Sequence, residues 1–121
     1  MTVKVLIVDN AREEFEKLNE VVGRQRAKGV KNSEEIQLLK SIKKKSELLK
    51  SNPAYGNKIP RKLWPKELVE KYDLTNLWRV ELTNYWRILY TLKGDRIEVL
   101  CFIIKLFDHE TYDKLFKYNK T

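Results

Sequence analysis

Read for the spacing of its apolar positions, the chain begins with a short apolar run, passes through two stretches of helical period, and ends in alternating strands. Residues 3–8 (VKVLIV) are apolar and rich in β-branched side chains, which predicts a strand. Asp9 and Asn10 then offer side-chain caps for a helix over 11–28, where Phe15, Leu18 and Val22 recur at helical spacing among Glu13, Glu14, Glu16 and Lys17. Gly29 supplies its stop. Asn32 or Ser33 caps a second helix over 34–50, with Glu34 and Glu35 in its first turn and Ile36, Leu39, Ile42 and Leu49 as its stripe. Ser51-Asn52-Pro53 ends that helix, residues 54–62 read as a loop, and Pro65 opens a short helix that stops at Asp73.

A period of two takes over at Leu77. Residues 77–82 and 85–92 form two strands joined at Thr83-Asn84, an antiparallel hairpin. Trp78, Val80, Leu82, Trp86, Ile88 and Tyr90 share one greasy face, while Arg79, Glu81 and Arg87 lie on the other. Arg87 in mid-strand between Trp86 and Ile88 is an unlikely choice for packing alone, because strand centres favour β-branched and aromatic residues. After a turn at Lys93-Gly94-Asp95, residues 96–105 are apolar on both faces, which places that strand inside the sheet. Asp108 caps a closing helix with Tyr112, Leu115 and Phe116 at helical spacing. The expected fold class is α+β, a small, mostly antiparallel β-sheet with the two N-terminal helices packed on one face. The N-terminal strand needs a partner and should lie beside the final strand.

Length and composition narrow the setting. At 121 residues the expectation is a single domain, 1–121, with one core. The chain has no apolar run long enough to span a bilayer, and MTVKVLIVDN lacks the features of a signal peptide, so a cytoplasmic protein with no membrane partner is expected. The single cysteine, Cys101, sits in an apolar run where it packs as a small hydrophobe. One Cys and one His give no metal cage by themselves, so no metal is expected. The 25 Lys and Arg against 17 Asp and Glu leave a formal +8, which favours a polyanionic partner, nucleic acid or an acidic protein.

Two clusters of cations compete for that partner. Lys43-Lys44-Lys45 fan over roughly 200° of a helix, so the three cannot face one groove together and read as a solvated face. Lys58, Arg61 and Lys62 lie on a loop beside Tyr55 and Trp64, and a loop can turn all of them towards one phosphate chain.

Three segments carry a likeness to a known family: Leu77-Trp78-Arg79-Val80-Glu81-Leu82, Tyr85-Trp86-Arg87-Ile88-Leu89-Tyr90, and the stretch from His109 to Tyr112. Together with the order of elements they resemble the RelE/ParE superfamily of toxins from toxin–antitoxin systems. The likeness is specific at the hairpin and follows order and length in the helical half. It implies a ribosome-dependent endoribonuclease in the RelE branch, or a protein that binds DNA gyrase in the ParE branch. A cognate antitoxin is implied as partner in either case.

The resemblance also implies roles. Arg87 matches the strand arginine that the nucleases direct at the scissile phosphate, and Arg79 lies on the same face. Lys58, Arg61 and Lys62 would hold RNA, and Glu81 and His109 are candidates for base or acid. The family's closing arginine has no counterpart here, which leaves the acid open. His109 competes with a plain role in the first turn of a helix, and Tyr112 reads as a core residue or stacking platform. The favoured expectation is a metal-independent endoribonuclease acting on messenger RNA bound to the ribosome, with no cofactor and no small-molecule ligand. The alternatives are a non-catalytic ParE-like binder of a topoisomerase or another partner, and a family member that only binds nucleic acid.

Overall fold

A computed structural model describes residues 2–95 and 98–117. The order is β1 (Thr2–Ile7), α1 (Asp9–Ala27), α2 (Glu34–Ser51), β2 (Asn57–Lys58), α3 (Lys66–Tyr72), β3 (Trp78–Glu81), β4 (Arg87–Gly94), β5 (Glu98–Phe107) and α4 (His109–Lys117). Short 3₁₀ turns cover Arg61–Leu63 and Thr83–Tyr85. The five strands form one sheet in the order β1-β5-β4-β3-β2. β1 runs parallel to β5 and every other pair is antiparallel, so the mostly antiparallel α+β sheet and the pairing of the first strand with the last are both as expected.

The alternation across the hairpin sorts the core into two layers. Val80, Leu82, Ile88, Tyr90, Cys101 and Ile103 pack against Leu18, Val22, Ile36, Leu39 and Ile42 of α1 and α2. Leu77, Leu89, Ile104 and Phe107 pack the other way, against Leu68 of α3 and Phe116 of α4. Each fully buried Leu or Ile contributes about 1.5–3 kcal/mol by leaving water. The sheet is therefore covered on both faces. Cys101 is buried in the first layer, where burial pushes its thiol up to about 12, and it behaves as the small hydrophobe expected of it.

A bulge in β5 decides where α4 goes. Leu89 lies opposite Lys105 and Tyr90 opposite Ile103, so β5 holds one more residue than β4 at this point. Alternation before the bulge sends Cys101 and Ile103 towards α1 and α2, and after it Leu106 takes that direction while Phe107 turns to the other face. The chain leaves β5 on the face opposite α1 and α2, and α4 packs there.

Local chemistry departs from expectation in four places. Ser33 caps α2 by accepting from Ile36 N at 3.1 Å, but Asp9 and Asn10 do not cap α1; they are its first two residues. Asp9, at φ 49°, instead accepts from Tyr72 Oη at 2.6 Å, and Asn10 Oδ1 accepts from Leu106 N at 3.4 Å, tying α1 to α3 and β5. The hairpin turn is three residues, Thr83 to Tyr85, closed by Leu82 N donating to Trp86 O at 2.8 Å. Asn84 and Tyr85 both hold left-handed backbone, φ 57° and 63°, and the strands start and stop correspondingly further from the turn. The 54–62 segment is not all loop, since β2 pairs Asn57 with Arg79 and Lys58 with Trp78. The strand expected over 96–105 is observed from Glu98 to Phe107, and Arg96 and Ile97 lie outside the described residues.

Two polar side chains hold the connections around the hairpin. The Oη of Tyr90 donates to Pro53 O at 2.8 Å and accepts from Gly56 N at 3.0 Å, anchoring the chain after α2. Asn76 Nδ2 donates to Leu92 O at 2.8 Å while its Oδ1 accepts from Leu92 N at 2.7 Å, so its amide copies a β-bridge just before β3 begins. No helix among the described residues is long and apolar enough to cross a membrane.

Candidate nucleic-acid site

The pairing register builds the centre of the site. Glu81 lies directly opposite Arg87 across β3 and β4, and Arg79 lies opposite Leu89, so both guanidiniums and the carboxylate emerge on the α4 face. α4 then brings His109 and Tyr112 onto them. Arg87 Nη1 lies 3.0 Å from His109 Nδ1, and its Nη2 lies 3.9 Å from Glu81 Oε1. Arg79 Nη1 donates to Tyr112 Oη at 3.0 Å. Tyr112 sits between the two arginines, its ring 4.6 Å from the Arg87 guanidinium carbon and 5.8 Å from that of Arg79, both within cation–π range.

The tautomer of His109 follows from its neighbours. A guanidinium only donates, so Nδ1 must accept from Arg87, and the ring proton then lies on Nε2. Nε2 is 3.2 Å from Asp113 Oδ2, one turn further along α4. The result is a polar chain running Glu81, Arg87, His109, Asp113. At its outer end the ring of Tyr85, 77% exposed at the hairpin tip, lies 6.2 Å from the imidazole.

Asp108 fixes the start of α4 by accepting from Thr111 N at 2.9 Å, and that bond holds its carboxyl below the usual range. Phe107 and Phe116 pack on Tyr112, edge-on at 5.5 Å and stacked at 4.5 Å, so the helix is tied down at both ends. This covers the face that carries the arginines. The Arg87 side chain is only 15% exposed against 63% for Glu81, and among the described residues the buried Nε atoms of Arg79 and Arg87 have no hydrogen-bond partner.

Arg79, Glu81, Arg87, His109 and Tyr112 are thus brought together, and Tyr112 is both core residue and guanidinium platform. The cations of the 54–62 segment are divided. Lys58 shares the face of Trp78, with Nζ 5.9 Å over its indole ring, opposite the face that carries Arg79. Arg61 lies over Trp64, 4.8 Å from the ring, while the Trp64 Nε1 donates to Ile59 O at 2.8 Å and holds the segment against the α4 side of the core. Lys62 is exposed in the same 3₁₀ turn. The sequence pattern assigns no role to Asp113 or Tyr85. The four-residue spacing of His109 and Asp113 on a helix is the signal that finds the first, whereas Tyr85 needs the true length of the turn. Among the described residues no group of three or more His, Cys, Asp or Glu is placed to hold a metal ion.

No family model matches this chain, and neither does any curated protein or solved structure.

Proposed function

We propose that this chain is a RelE-type toxin, an endoribonuclease that needs no metal and is silenced by a cognate antitoxin. The observation that carries the reading is Arg87 held between Glu81 and His109, with Arg79 and Tyr112 beside it. Cleavage of RNA by its own 2′-hydroxyl forms a bond from O2′ to phosphorus and breaks the one to O5′, leaving a 2′,3′-cyclic phosphate and a 5′-hydroxyl. The reaction needs a proton acceptor, cations for the charge that builds on the phosphoryl oxygens, and a proton for O5′. A planar guanidinium can bridge two of those oxygens. Once phosphate draws Arg87 away from the imidazole, His109 Nδ1 is free to take the 2′-hydroxyl proton while Asp113 steadies Nε2–H, as the third member of a catalytic triad does. Glu81, exposed beside Arg87, is the competing base, and O5′ takes its proton from the imidazolium or from water.

The test is incubation of labelled messenger RNA, free and on ribosomes, with the chain in excess chelator. Fragments ending in 2′,3′-cyclic phosphate are expected. Intact RNA in both settings with folded protein would discard the nuclease.

The second reading, a ParE-like protein that acts by binding, is favoured by one feature. Tyr112 and α4 cover most of Arg87, as suits a structural guanidinium more than one awaiting a phosphate. A pull-down against topoisomerase subunits separates it from the first.

A further inference from the structure

Among the described residues no strand lies beside β3 on its outer side beyond Arg79, because β2 pairs only with Trp78 and Arg79. The free edge forms one wall of a groove whose other wall is α2, with Lys40, Ser41, Lys44 and Lys45 on the helical side and Glu81 and Thr83 on the strand side. The two walls are joined where Thr83 N donates to Ser41 Oγ at 3.3 Å. We propose that this groove is a track for the phosphodiester backbone of single-stranded nucleic acid, leading over the edge of β3 to Arg87.

Four features select that occupant. Lys40 and Lys44 are one helical turn apart on one face, about 6 Å along the axis, a spacing close to that of successive phosphates in an extended strand. Both are exposed, and among the described residues neither takes part in an ion pair. Lys45 turns from the lysine row towards an aromatic surface. Its Nζ donates to Tyr55 Oη at 3.1 Å and lies 5.2 Å over that ring, which remains 42% exposed and can stack a base. Finally, the one carboxylate of the lining, Glu81, is also the residue that faces Arg87 at 3.9 Å, so the groove and the arginine site share a member.

The fan of Lys43, Lys44 and Lys45 explains why the run alone misleads. Lys43 turns out of the groove, and the partner that Lys44 needs on its own face is Lys40, four residues back. An acidic peptide would also find three ammonium groups here, but it has no use for the exposed ring.

Only the direction of the track, towards Arg87, rests on the nuclease reading; binding does not. The test is therefore made with fluorescent all-deoxy single strands of roughly 12 nucleotides, which have no 2′-hydroxyl and lie within the span of such grooves. Their affinity is followed by anisotropy across a salt series. Changing Lys40 and Lys44 together to alanine should reduce the slope of log affinity against log salt by about 1.4, or 0.7 for each lost phosphate contact. Lys43→Ala should keep the wild-type slope. The pair Lys40→Gln and Lys44→Gln repeats the measurement, with circular dichroism confirming the fold of each variant. No binding by the wild type, an unchanged slope in both double variants, or an equal fall in Lys43→Ala overturns the track. So does a double variant that loses an Asp- and Glu-rich peptide while keeping the oligonucleotide slope, which assigns the groove to an acidic protein. Lost slope with no RNA cleavage by the wild type leaves the groove standing and removes the nuclease.

Discussion

Arg87 Nη1 and His109 Nδ1 meet at 3.0 Å, and this contact joins the middle of the sheet to the first residue of α4. If Arg87 stabilises the charge that builds on phosphorus, Arg87→Ala should cut cleavage by roughly 10²–10³, the loss expected when one transition-state donor is removed. Arg87→Lys should recover only part, because an ammonium lacks the planar fork. The coverage by Tyr112 adds a stability effect, so thermal unfolding must be measured on the same variants. Normal cleavage per folded molecule with a lower melting temperature would make Arg87 a strut.

His109 and Asp113 should separate as a base and the group that positions it. His109→Ala is expected to lower kcat by about 10²–10⁴, the range for one proton-transfer group. Asp113→Asn retains a hydrogen-bond acceptor beside Nε2–H, so it should cost less and act on kcat with little change in KM. Equal losses from both would put them in one inseparable unit, and a loss confined to KM would place them in RNA binding.

Tyr90, in the core layer on the α1 and α2 side of the sheet, forms with Gly56 a stability test that leaves the arginine side chains unchanged. Tyr90→Phe removes the donor to Pro53 O and the acceptor for Gly56 N, at a cost of about 1–3 kcal/mol for buried polar groups left unpaired. Gly56→Ala should also destabilise, because a methyl there would stand 2.7 Å from both Arg79 O and Tyr90 Oη. Burial pushes Tyr90 up to about 12, so the folded chain holds this proton more tightly than the unfolded one. Its contribution is complete below the ordinary tyrosine value of about 10 and is lost as pH rises towards 12. Denaturant titrations at alkaline pH should show that fall in the wild type and a shallower one in Tyr90→Phe, where the share that comes from the raised Cys101 and Tyr72 remains.

Asp108 gives the opposite sign. Its carboxyl is held low by the backbone and side chain of Thr111, so the folded state favours the ionised form. That stabilisation is present above the unfolded value of about 3.9 and disappears as pH falls below it and through the folded value. Asp108→Ala should remove about 0.5–2 kcal/mol of helix capping and loosen α4 at neutral pH. Amide exchange across α4 measures it, and unchanged protection would mean that Phe107 and Phe116 hold the helix unaided.

Most of the scaffold could be read from periodicity, because each of its signals is local. Leu18, Val22, Ile36, Leu39 and Ile42 mark buried faces directly, Ser33 announces its helix, and alternation in the hairpin puts Arg79, Glu81 and Arg87 on one face. What could not be read depends on counting across space. The bulge near Ile104 has no composition of its own, since no Gly, Pro or Asn stands beside it and its neighbours are Ile103 and Lys105. The coverage of Arg87 depends on where that bulge sends α4, which alternation within the hairpin does not reveal. Lys58 parts from Arg61 and Lys62 for a similar reason: a segment rich in Gly, Pro and Asn contains a two-residue strand, and pairing with Trp78 fixes its direction.

The extra residue in β5 has a consequence for how such a chain can vary. Substitutions at residues 103–106 alter packing by a few methylenes, but deletion of one residue would interchange the directions of Leu106 and Phe107. α4 would then leave the sheet towards α1 and α2, and His109 and Tyr112 would be carried away from both arginines. Length is therefore constrained more tightly than residue type here. Relatives that share the site are to be sought by an unbroken count from Arg87 to His109 before they are sought by identity.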